Sequence, residues 1–364
     1  LLKELIRIDS NVDISNKKII EFIKEKLKEF EIKEFTFKKG DLELSNLIIK
    51  IPGEKLDSPL VFVAHTDTVP VSGDWSLEPF NPIEKDGNIY GLGSTDMKAG
   101  ISCMISAVLS LSKKPAQDIY LIFDADEEGG GLGAINLIKE FSLENARIII
   151  AEPTTKRLVL GQKGCLDLEI EVTGKAMHSA KTNSQKNQEN NAIYKTVKII
   201  NALLEYEKEI EKKEEGQYGT PTFNIGFISG GTAPNVLAGK CNIKVSRRLI
   251  PSENIDQAFK EIQEVVSKED PSAKLIKLFC GDSFKTEEET SFIKKIKEIS
   301  INKLEKCEVG IKFGWTEASH FSKWGETIIF GPGLEEKAHQ PDEYVEIRDL
   351  EIFTEIYKEL MKLV

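Results

Sequence analysis

Cysteine is scarce in this chain of 364 residues. Five cysteines are scattered along it without a Cys-x-x-Cys pair, at Cys103, Cys165, Cys241, Cys280 and Cys307. An odd number without framework spacing argues against a disulfide scaffold, and none of the five lies in a nucleophile motif. Such thiols are typical of a reducing compartment, where they serve as small buried apolar groups. We therefore expect a cytoplasmic protein.

Long apolar runs and excess positive charge are also absent. No run approaches the about 18 apolar residues of a transmembrane helix, and residues 1–6 are typical of an amphipathic helix, not of a signal peptide. The 49 Lys and Arg residues against 60 Asp and Glu residues leave a formal net charge of −11. That charge disfavours nucleic acid and anionic membranes as partners. Cations bound in a functional site would neutralise part of it.

Length and patterning predict two domains. A chain of 364 residues exceeds one ordinary compact core. Residues 1–164 alternate helical and strand-like patterns, as a βαβ sheet requires, and this pattern resumes over residues 280–364. Residues 165–279 follow the order β-α-β-β-α-β, which is typical of a ferredoxin-like domain. The expected architecture is an α/β domain, with a mostly parallel sheet and helices on both faces, that carries an inserted α+β domain.

Four apolar runs each lead into histidine or carboxylate residues. The runs 60–64, 119–123, 148–151 and 327–330 are apolar on both faces, which predicts parallel strands covered by helices. In open α/β sheets, ligands bind in the crevice outside the carboxyl ends of the strands. The polar residues that follow the runs should converge there: His65, Asp67, Asp124, Asp126, Glu127, Glu128, Glu152 and His339. Such a donor set is typical of a metal site.

His65 is the first candidate ligand. A lone histidine is usually structural, but Asp67 lies two residues further along a strand and hence on the same face. A ligating histidine commonly donates its second ring N–H to a carboxylate, and Asp67 can serve that purpose. Asp96, after Gly93-Ser94-Thr95, has two interpretations that the sequence does not separate. It suits a helix N-cap, and it also suits a carboxylate that bridges two metals.

Glu127 and Glu128 form the most informative pair. Adjacent carboxylates after a buried strand and before Gly129-Gly130-Gly131 would repel each other with little solvation. The pair makes sense if one carboxylate ligates a cation and the other stays free as a general base. We reject a nucleotide-binding loop here, because its phosphates would meet four acidic side chains and no compensating lysine.

Glu152, before Pro153, and His339 complete the set, although either one alone could be a surface residue. Five nitrogen and oxygen ligands from five segments suit two zinc-like ions that share one carboxylate. The candidate ligands are His65, Asp96, Glu128, Glu152 and His339.

In order along the chain, these motifs resemble those of the dinuclear zinc aminoacylase/carboxypeptidase family. That family includes acetylornithine deacetylase, succinyl-diaminopimelate desuccinylase, acetyl-lysine deacetylase and several dipeptidases and carboxypeptidases. The likeness spans nearly the whole chain. The matching motifs are His65-Thr66-Asp67, Gly93-x-x-Asp96-Met97-Lys98-x-Gly100, Asp126-Glu127-Glu128-Gly129, Glu152-Pro153-Thr154, and Gly331-Pro332-Gly333 followed by Ala338-His339-Gln340-Pro341-Asp342-Glu343.

The resemblance implies a role for each candidate. One metal would be held by His65, Asp96 and Glu152, and the other by Asp96, Glu128 and His339. Asp67 would orient His65, and Glu127 would be the general base. The metals would be two divalent ions, zinc first, with cobalt or manganese as alternatives. The resemblance also implies a cis peptide bond at Asp96-Met97, a zinc-exopeptidase-like catalytic domain, and a lid or dimerisation role for the inserted domain.

The same resemblance suggests residues that bind substrate. His178, in Met177-His178-Ser179, matches a histidine that reaches into the site of a partner subunit, which implies a homodimer formed through the inserted domain. Arg248 and Asn235 would hold a substrate carboxylate. The chain departs from the family pattern near Arg248, with Ser246 in place of an aspartate, and Arg247 competes for the role. Glu317 would suit a free amino group on the substrate, although a lone loop glutamate is more often a salt-bridge partner.

The expected function is therefore metal-dependent hydrolysis of an N-acyl amino acid, most similar to acetylornithine deacetylase. A dipeptidase, carboxypeptidase or desuccinylase on the same scaffold is the alternative, because peptide and N-acyl bonds share their chemistry. A non-catalytic amino-acid-binding homologue is a further alternative, and the intact Glu127 argues against it. His320 matches no ligand position and is expected in the core or at the rim.

Overall fold

The computed structural model describes residues 1–304 and 306–363, and the side chains of all of these except residues 56, 57 and 363. The chain divides into two compact units. The first comprises Leu1–Gly161, Thr286–Gly310 and Thr316–Val364, and the second comprises Gln162–Lys285 and Ile311–Trp315. The second unit thus includes the short segment Ile311–Trp315, which no change of composition in the sequence indicates.

Both units contain strands and helices. The strands are β1 (Glu31–Lys39), β2 (Leu42–Ile51), β3 (Lys55–His65), β4 (Ile83–Lys85), β5 (Asn88–Tyr90), β6 (Gln117–Asp124), β7 (Ala146–Pro153), β8 (Leu158–Gln162), β9 (Gly164–Thr173), β10 (Thr222–Gly230), β11 (Lys240–Leu249), β12 (Lys274–Gly281), β13 (Phe284–Lys285), β14 (Val309–Lys312), β15 (Gly325–Gly331) and β16 (Tyr344–Glu346).

The helices lie between groups of these strands. They are α1 (Leu2–Ile6), α2 (Lys17–Lys26), α3 (Lys98–Leu109), α4 (Leu132–Glu140), α5 (Ser184–Asn190), α6 (Ala192–Ile210), α7 (Ile255–Glu269), α8 (Ser291–Leu304), α9 (Ala318–Phe321) and α10 (Ile347–Leu363). Among the residues with described positions, no helix combines the length and the apolar character that crossing a membrane requires.

The first unit is built on a sheet with a parallel centre. Its strands follow the order β1-β2-β6-β3-β7-β15-β8. The central strands β6, β3, β7 and β15 pair in parallel, whereas β2 joins β6 and β8 joins β15 in antiparallel fashion. The predicted α/β class with a mostly parallel sheet is confirmed. The antiparallel strands at the two margins are an addition that the apolar runs do not indicate.

Helices cover both faces of this sheet, which explains the continuous apolar runs. Leu60, Phe62 and Ala64 of β3 share one core with residues of α2, α3, α8 and α10. On the other face, α4 contacts β1 and β2, and the Asn46 side chain donates a hydrogen bond to the Gly133 carbonyl. Every residue of β3 from Leu60 to Ala64 is therefore buried, as expected for a strand covered on both sides.

The register of the parallel strands aligns their polar ends. His65 at the end of β3 pairs with Asp124 at the end of β6. Val63 pairs with Ile150 of β7, two residues before His65 and Glu152. Because side chains alternate along a strand, His65, Asp124 and Glu152 form one row on one face. The carboxyl ends of the strands therefore converge as the apolar runs predicted.

The second unit is an antiparallel sheet with helices α6 and α7 on one face. The chain order β9-α6-β10-β11-α7-β12 matches the predicted β-α-β-β-α-β succession. In space the strands follow the order β10-β11-β9-β12, and every pairing is antiparallel. Leu166, Leu168 and Ile170 alternate inward from β9 into the core formed with the helices. The predicted ferredoxin-like α+β domain is confirmed.

Candidate metal centre

His65 lies at the bottom of the candidate centre. It is 1% exposed, and its Nδ1 lies 2.9 Å from the backbone carbonyl of Asp67. A proton on Nδ1 donates to that carbonyl, which leaves the lone pair of Nε2 for a ligand. Nε2 lies 3.2 Å from Asp96 Oδ1 and 3.6 Å from Glu152 Oε1. One nitrogen donor therefore faces two carboxylate donors.

Asp96 is shared between two histidines. Its Oδ1 faces His65, and its Oδ2 lies 3.2 Å from His339 Nε2. The same His339 nitrogen lies 2.7 Å from Glu128 Oε1. Helix α3 takes Met97 as its N-cap residue, without a capping side chain, so Asp96 is not the N-cap that one interpretation of the sequence suggests. The Asp96-Met97 peptide bond is cis.

The Asp67 carboxylate lies too far from the ring of His65 to accept a hydrogen bond from it. Its Oδ1 lies 3.8 Å from Nδ1 of that ring, whereas Oδ1 and Oδ2 accept hydrogen bonds from the backbone N–H groups of Glu127 and Glu128, at 3.2 and 3.0 Å. Asp67 thus contacts His65 through its backbone carbonyl and the Glu127-Glu128 loop through its side chain. The sequence pattern predicts that Asp67 contacts the His65 ring through its carboxylate, whereas the contact is made by its backbone carbonyl. The pattern does not indicate the hydrogen bonds to the Glu127-Glu128 loop.

Burial and, after it, mutual repulsion both disfavour the charged forms of the carboxylates in this cluster. Burial, together with the charges of Glu317 and Glu152, raises the pKa of Glu127 well above its usual value. Burial and the charge of Asp96 likewise raise the pKa of Glu128. Donor atoms of His65, Asp96 and Glu128, and also of His65, Glu127 and Glu152, lie within 4.8 Å of one another. Imidazole and carboxylate donors in this arrangement fit divalent cations, which would relieve the repulsion.

Asp124 and Glu317 add two acidic groups beneath the cluster. Both are 0% exposed, and none of their carboxylate oxygens has a hydrogen-bond partner among the described residues. Burial raises the pKa of Asp124 to about 7, an effect that the His65 charge opposes and the Asp67 charge reinforces. Burial and the charge of Asp124 raise the pKa of Glu317 well above its usual value. Glu317 is therefore not a loop salt-bridge partner.

His178 and Asn235 belong to the second unit and lie side by side there. The Ser179 N–H donates to the Asn235 carbonyl at 2.9 Å, and His178 forms a β-bridge with Val236. Both residues are exposed. The His178 Nδ1 accepts a hydrogen bond from the Ala180 N–H at 3.1 Å, so this nitrogen is occupied and Nε2 is the one available to a ligand.

The two arginines of β11 have different environments. Arg247 is 1% exposed, and its guanidinium pairs with Glu253 at 2.5 Å and with Glu261 at 3.0 Å. Arg248 is half-buried on the opposite face of the sheet, because side chains alternate along a strand. Structural ion pairs therefore occupy Arg247, and Arg248 is the better candidate for a ligand carboxylate.

The remaining histidine and the cysteines have no part in the cluster. His320 is 8% exposed, in agreement with the core position expected of it, and burial lowers its pKa to about 4. All five cysteines are free, and Cys103, Cys165 and Cys241 are buried. The role of thiols as buried apolar groups fits these three.

Comparison with known proteins adds a family and a set of relatives. Residues 61–363 match the model of peptidase family M20/M25/M40. An acetylornithine deacetylase from Myxococcus xanthus is 30% identical over 363 residues, which cover 96% of this chain and 92% of that protein.

Solved structures share the fold. An M20 family metallo-carboxypeptidase from Sulfolobus solfataricus aligns with a TM-score of 0.79 at 17% identity, covering 100% of this chain and 98% of that one. A dinuclear metal-binding peptidase of the M20 family from Bacillus subtilis aligns with a TM-score of 0.70 at 14% identity, covering 100% and 97%.

Proposed function

The chain belongs to peptidase family M20/M25/M40 and is a metallohydrolase, and from this premise we propose that it cleaves the amide bond of an N-acyl amino acid. The proposed reaction is that of an acetylornithine deacetylase, which releases acetate and a free amine. The observation that carries the proposal is the position of Asp96, whose two oxygens face two different histidines. A carboxylate shared between two nitrogen donors suits a pair of neighbouring ions, which is the arrangement of two-metal hydrolases.

Five side chains would hold the two ions, because their nitrogen and oxygen donors face one another around Asp96. His65, Asp96 and Glu152 would hold one ion, and Asp96, Glu128 and His339 the other. When bound, divalent ions supply Lewis-acid polarisation of the amide carbonyl and acidify the attacking water. Zinc is the first choice for a set of imidazole and carboxylate donors, with cobalt and manganese as alternatives.

Glu127 is the proposed general base. It takes a proton from the attacking water as the water adds to the amide carbon, and it delivers that proton to the leaving amine. Its backbone N–H is held by the Asp67 carboxylate at 3.2 Å. Asp67 therefore has two proposed tasks, which are to orient His65 through a carbonyl and to hold the backbone of the base.

Four further residues are proposed to recognise the substrate. Arg248 would bind its carboxylate in bidentate fashion, and Asn235 would help to hold the same carboxylate. His178 would donate to the oxygen of the developing tetrahedral species in the site of the partner protomer. The fourth, Glu317, would favour a substrate with a free amino group. Glu317 is completely buried, so it would attract such an amine through the electrostatic field of the carboxylate cluster and not by direct contact. That cluster includes Asp124 and Glu152.

A homodimer through the second unit is part of the proposal. Tyr194, Val197 and Leu204 of α6 are 41, 48 and 42% exposed and follow one outward stripe of the helix. Edge strand β10 exposes Phe227 and Ile228, at 47 and 55%. An exposed apolar stripe and an unpaired strand edge are features that a partner subunit covers. We also propose a cytoplasmic location, which the five free cysteines support.

The test of the function is an assay for liberated amine. The purified chain, loaded with zinc, cobalt or manganese, is incubated with acetylornithine, acetyl-lysine, succinyl-diaminopimelate and a set of dipeptides. We expect acetylornithine to have the highest kcat/KM. A dipeptide or succinylated substrate with a higher value would instead establish the alternative on the same scaffold. Absence of turnover on every substrate, with two ions bound, would favour the non-catalytic homologue.

A further inference from the structure

Glu343 is a buried carboxylate whose two oxygens both bind backbone amides. Its side chain is 1% exposed. Oε1 accepts hydrogen bonds from the N–H groups of Thr95 and Asp96, at 2.7 and 3.0 Å, and Oε2 accepts one from Gly93 at 3.0 Å. Three amides of one loop, including that of the shared carboxylate residue itself, thus meet at one side chain.

The segment that carries Glu343 also carries His339. The Glu343 carbonyl accepts a hydrogen bond from the Gly91 N–H at 2.9 Å, and the Leu334 N–H donates to Thr95 Oγ1 at 3.1 Å. Hydrogen bonds therefore tie the segment 334–343 to the loop 91–96 at both ends of the segment. Between these ties, His339 Nε2 and Asp96 Oδ2 lie 3.2 Å apart.

These hydrogen bonds fix the distance between the two candidate metal ligands Asp96 and His339. Bound ions require ligand distances within about 0.2 Å of their preferred values. A loop with three buried amides left without an acceptor would pay their full desolvation penalty or move to find water. The second response shifts Asp96 against His339, because no other carboxylate among the described residues accepts these three amides.

We propose that Glu343 is a positioning residue for the candidate metal centre, which holds Asp96 at the distance from His339 that the second ion requires. This inference rests on the proposed function, in which both residues are ligands. Glu343 acts through the backbone of the loop and is not itself a ligand or a catalytic residue. Partners one step removed from a metal typically change its affinity about 10–100-fold when replaced.

The test measures metal binding without reference to turnover. Chelator-treated wild type, E343Q and D342N are titrated with Co2+ and followed by calorimetry and visible absorption. E343Q keeps the shape of the side chain but turns one acceptor oxygen into an NH2 donor that opposes a backbone N–H. D342N is the matched control. The carboxylate of Asp342, next to Glu343 in the sequence, accepts hydrogen bonds from the backbone N–H groups of Ser76 and Leu77, at 3.0 and 3.1 Å. It accepts none of the three amides that Glu343 binds in the loop 91–96.

We expect wild type and D342N to bind two Co2+ ions with affinities within about threefold of each other, and E343Q to bind one of the two at least about tenfold more weakly, with a changed cobalt spectrum. A folded E343Q that binds both ions as wild type does would overturn the inference and leave the proposed function intact. An equal loss in D342N would also overturn it. Wild type that binds no ion would refute the proposed function, and the inference with it.

A second variant covers the case in which E343Q does not fold. E343D retains the charge and both acceptor oxygens but is shorter by one methylene, so it cannot reach all three amides at once. We expect its loss of affinity to be intermediate and confined to one ion. Wild-type affinities for both ions in E343D would overturn the inference, since they would show that the reach of the side chain has no effect on the site.

Discussion

At the scale of single residues, the geometry of the candidate metal centre depends on which atom of each residue makes a given contact. Asp67 contacts His65 through its carbonyl and the Glu127-Glu128 loop through its carboxylate. Glu127 therefore has a fixed backbone while its side chain remains available for chemistry. The types of these residues could be predicted from their motifs, but the atoms could not, because a motif carries no information on rotamers or loop conformation.

Replacing the proposed base should separate catalysis from metal binding. We expect E127Q to lower kcat on the best substrate by about 10²–10⁴-fold, since general-base catalysis contributes that much. Metal content, measured by atomic emission, should stay at the wild-type value because Glu127 is not a proposed ligand. An E127Q variant with full turnover would remove Glu127 from the role of base. A variant that loses a metal ion would make it a ligand instead.

The buried carboxyl of Asp124 should make the metal-free protein sensitive to pH. Burial raises its pKa from 3.8 to about 7, so the folded chain retains a proton that the unfolded chain releases between these values. Stability therefore falls as pH rises through this window. We expect metal-free D124N to melt above wild type at about pH 7.5 and together with it at about pH 4, in calorimetric scans.

A matched control exists on the same strand. Asp118 pairs with Lys50 at 2.8 Å and accepts the Gly53 N–H at 2.7 Å, so its negative charge is stabilised in the fold. We expect D118N to melt below wild type at about pH 7.5, the opposite sign from D124N. If both variants shift in the same direction, the effect of D124N does not come from an unpaired buried charge.

At the scale of elements, the parallel strands bring the site together and the loops complete it. Strand β3 ends at His65 and β6 at Asp124, in register with each other, so the sheet itself sets the lower row of donors. Asp96 and His339 come from loops that hydrogen bonds tie together. Strand periodicity predicts the first group well. Strand periodicity does not predict the positions of Asp96 and His339, because the hydrogen bonds that hold their loops join residues far apart in the sequence.

Helix α6 provides a test at this scale. Val197 and Leu204 are 48 and 42% exposed on the stripe proposed to face a partner protomer. We expect V197E/L204E to shift the molar mass measured by light scattering from dimer to monomer, because two buried unpaired carboxylates are costly at an interface. K260E, an exposed change on the neighbouring helix α7, should keep the dimer. A double variant with unchanged mass would exclude this face as the interface.

At the scale of the whole molecule, acidic groups outnumber basic ones, with a formal net charge of −11, and several acidic groups converge on one buried cluster. Metal-free protein should therefore be less stable than metal-bound protein. Treatment with a chelator should abolish turnover and lower the melting temperature, and readdition of zinc, cobalt or manganese should restore both. At a free ion concentration 100 times Kd, each ion contributes about 2.7 kcal/mol to stability.

The inactive E127Q variant serves as the control for this experiment. It should lose and regain thermal stability with metal as wild type does, although it lacks turnover. A melting temperature that chelation leaves unchanged, with the metal content shown to be zero, would mean that the acidic cluster is stable without ions. That result would contradict the repulsion inferred from the raised pKa values of Glu127 and Glu128.

The sequence by itself determined the fold class, the inserted domain and the types of the candidate ligands. Each of these depends on periodicity or on motifs of adjacent residues, which are local properties of a chain. Only the tertiary structure decided that ion pairs occupy Arg247 while Arg248 lies half-buried on the opposite face of the sheet, and that Asp124 and Glu317 lie buried together. It also decided that Glu343 ties the Asp96 loop. These facts arise from contacts between distant segments, where packing and hydrogen-bond satisfaction choose among side chains that look equivalent in the sequence.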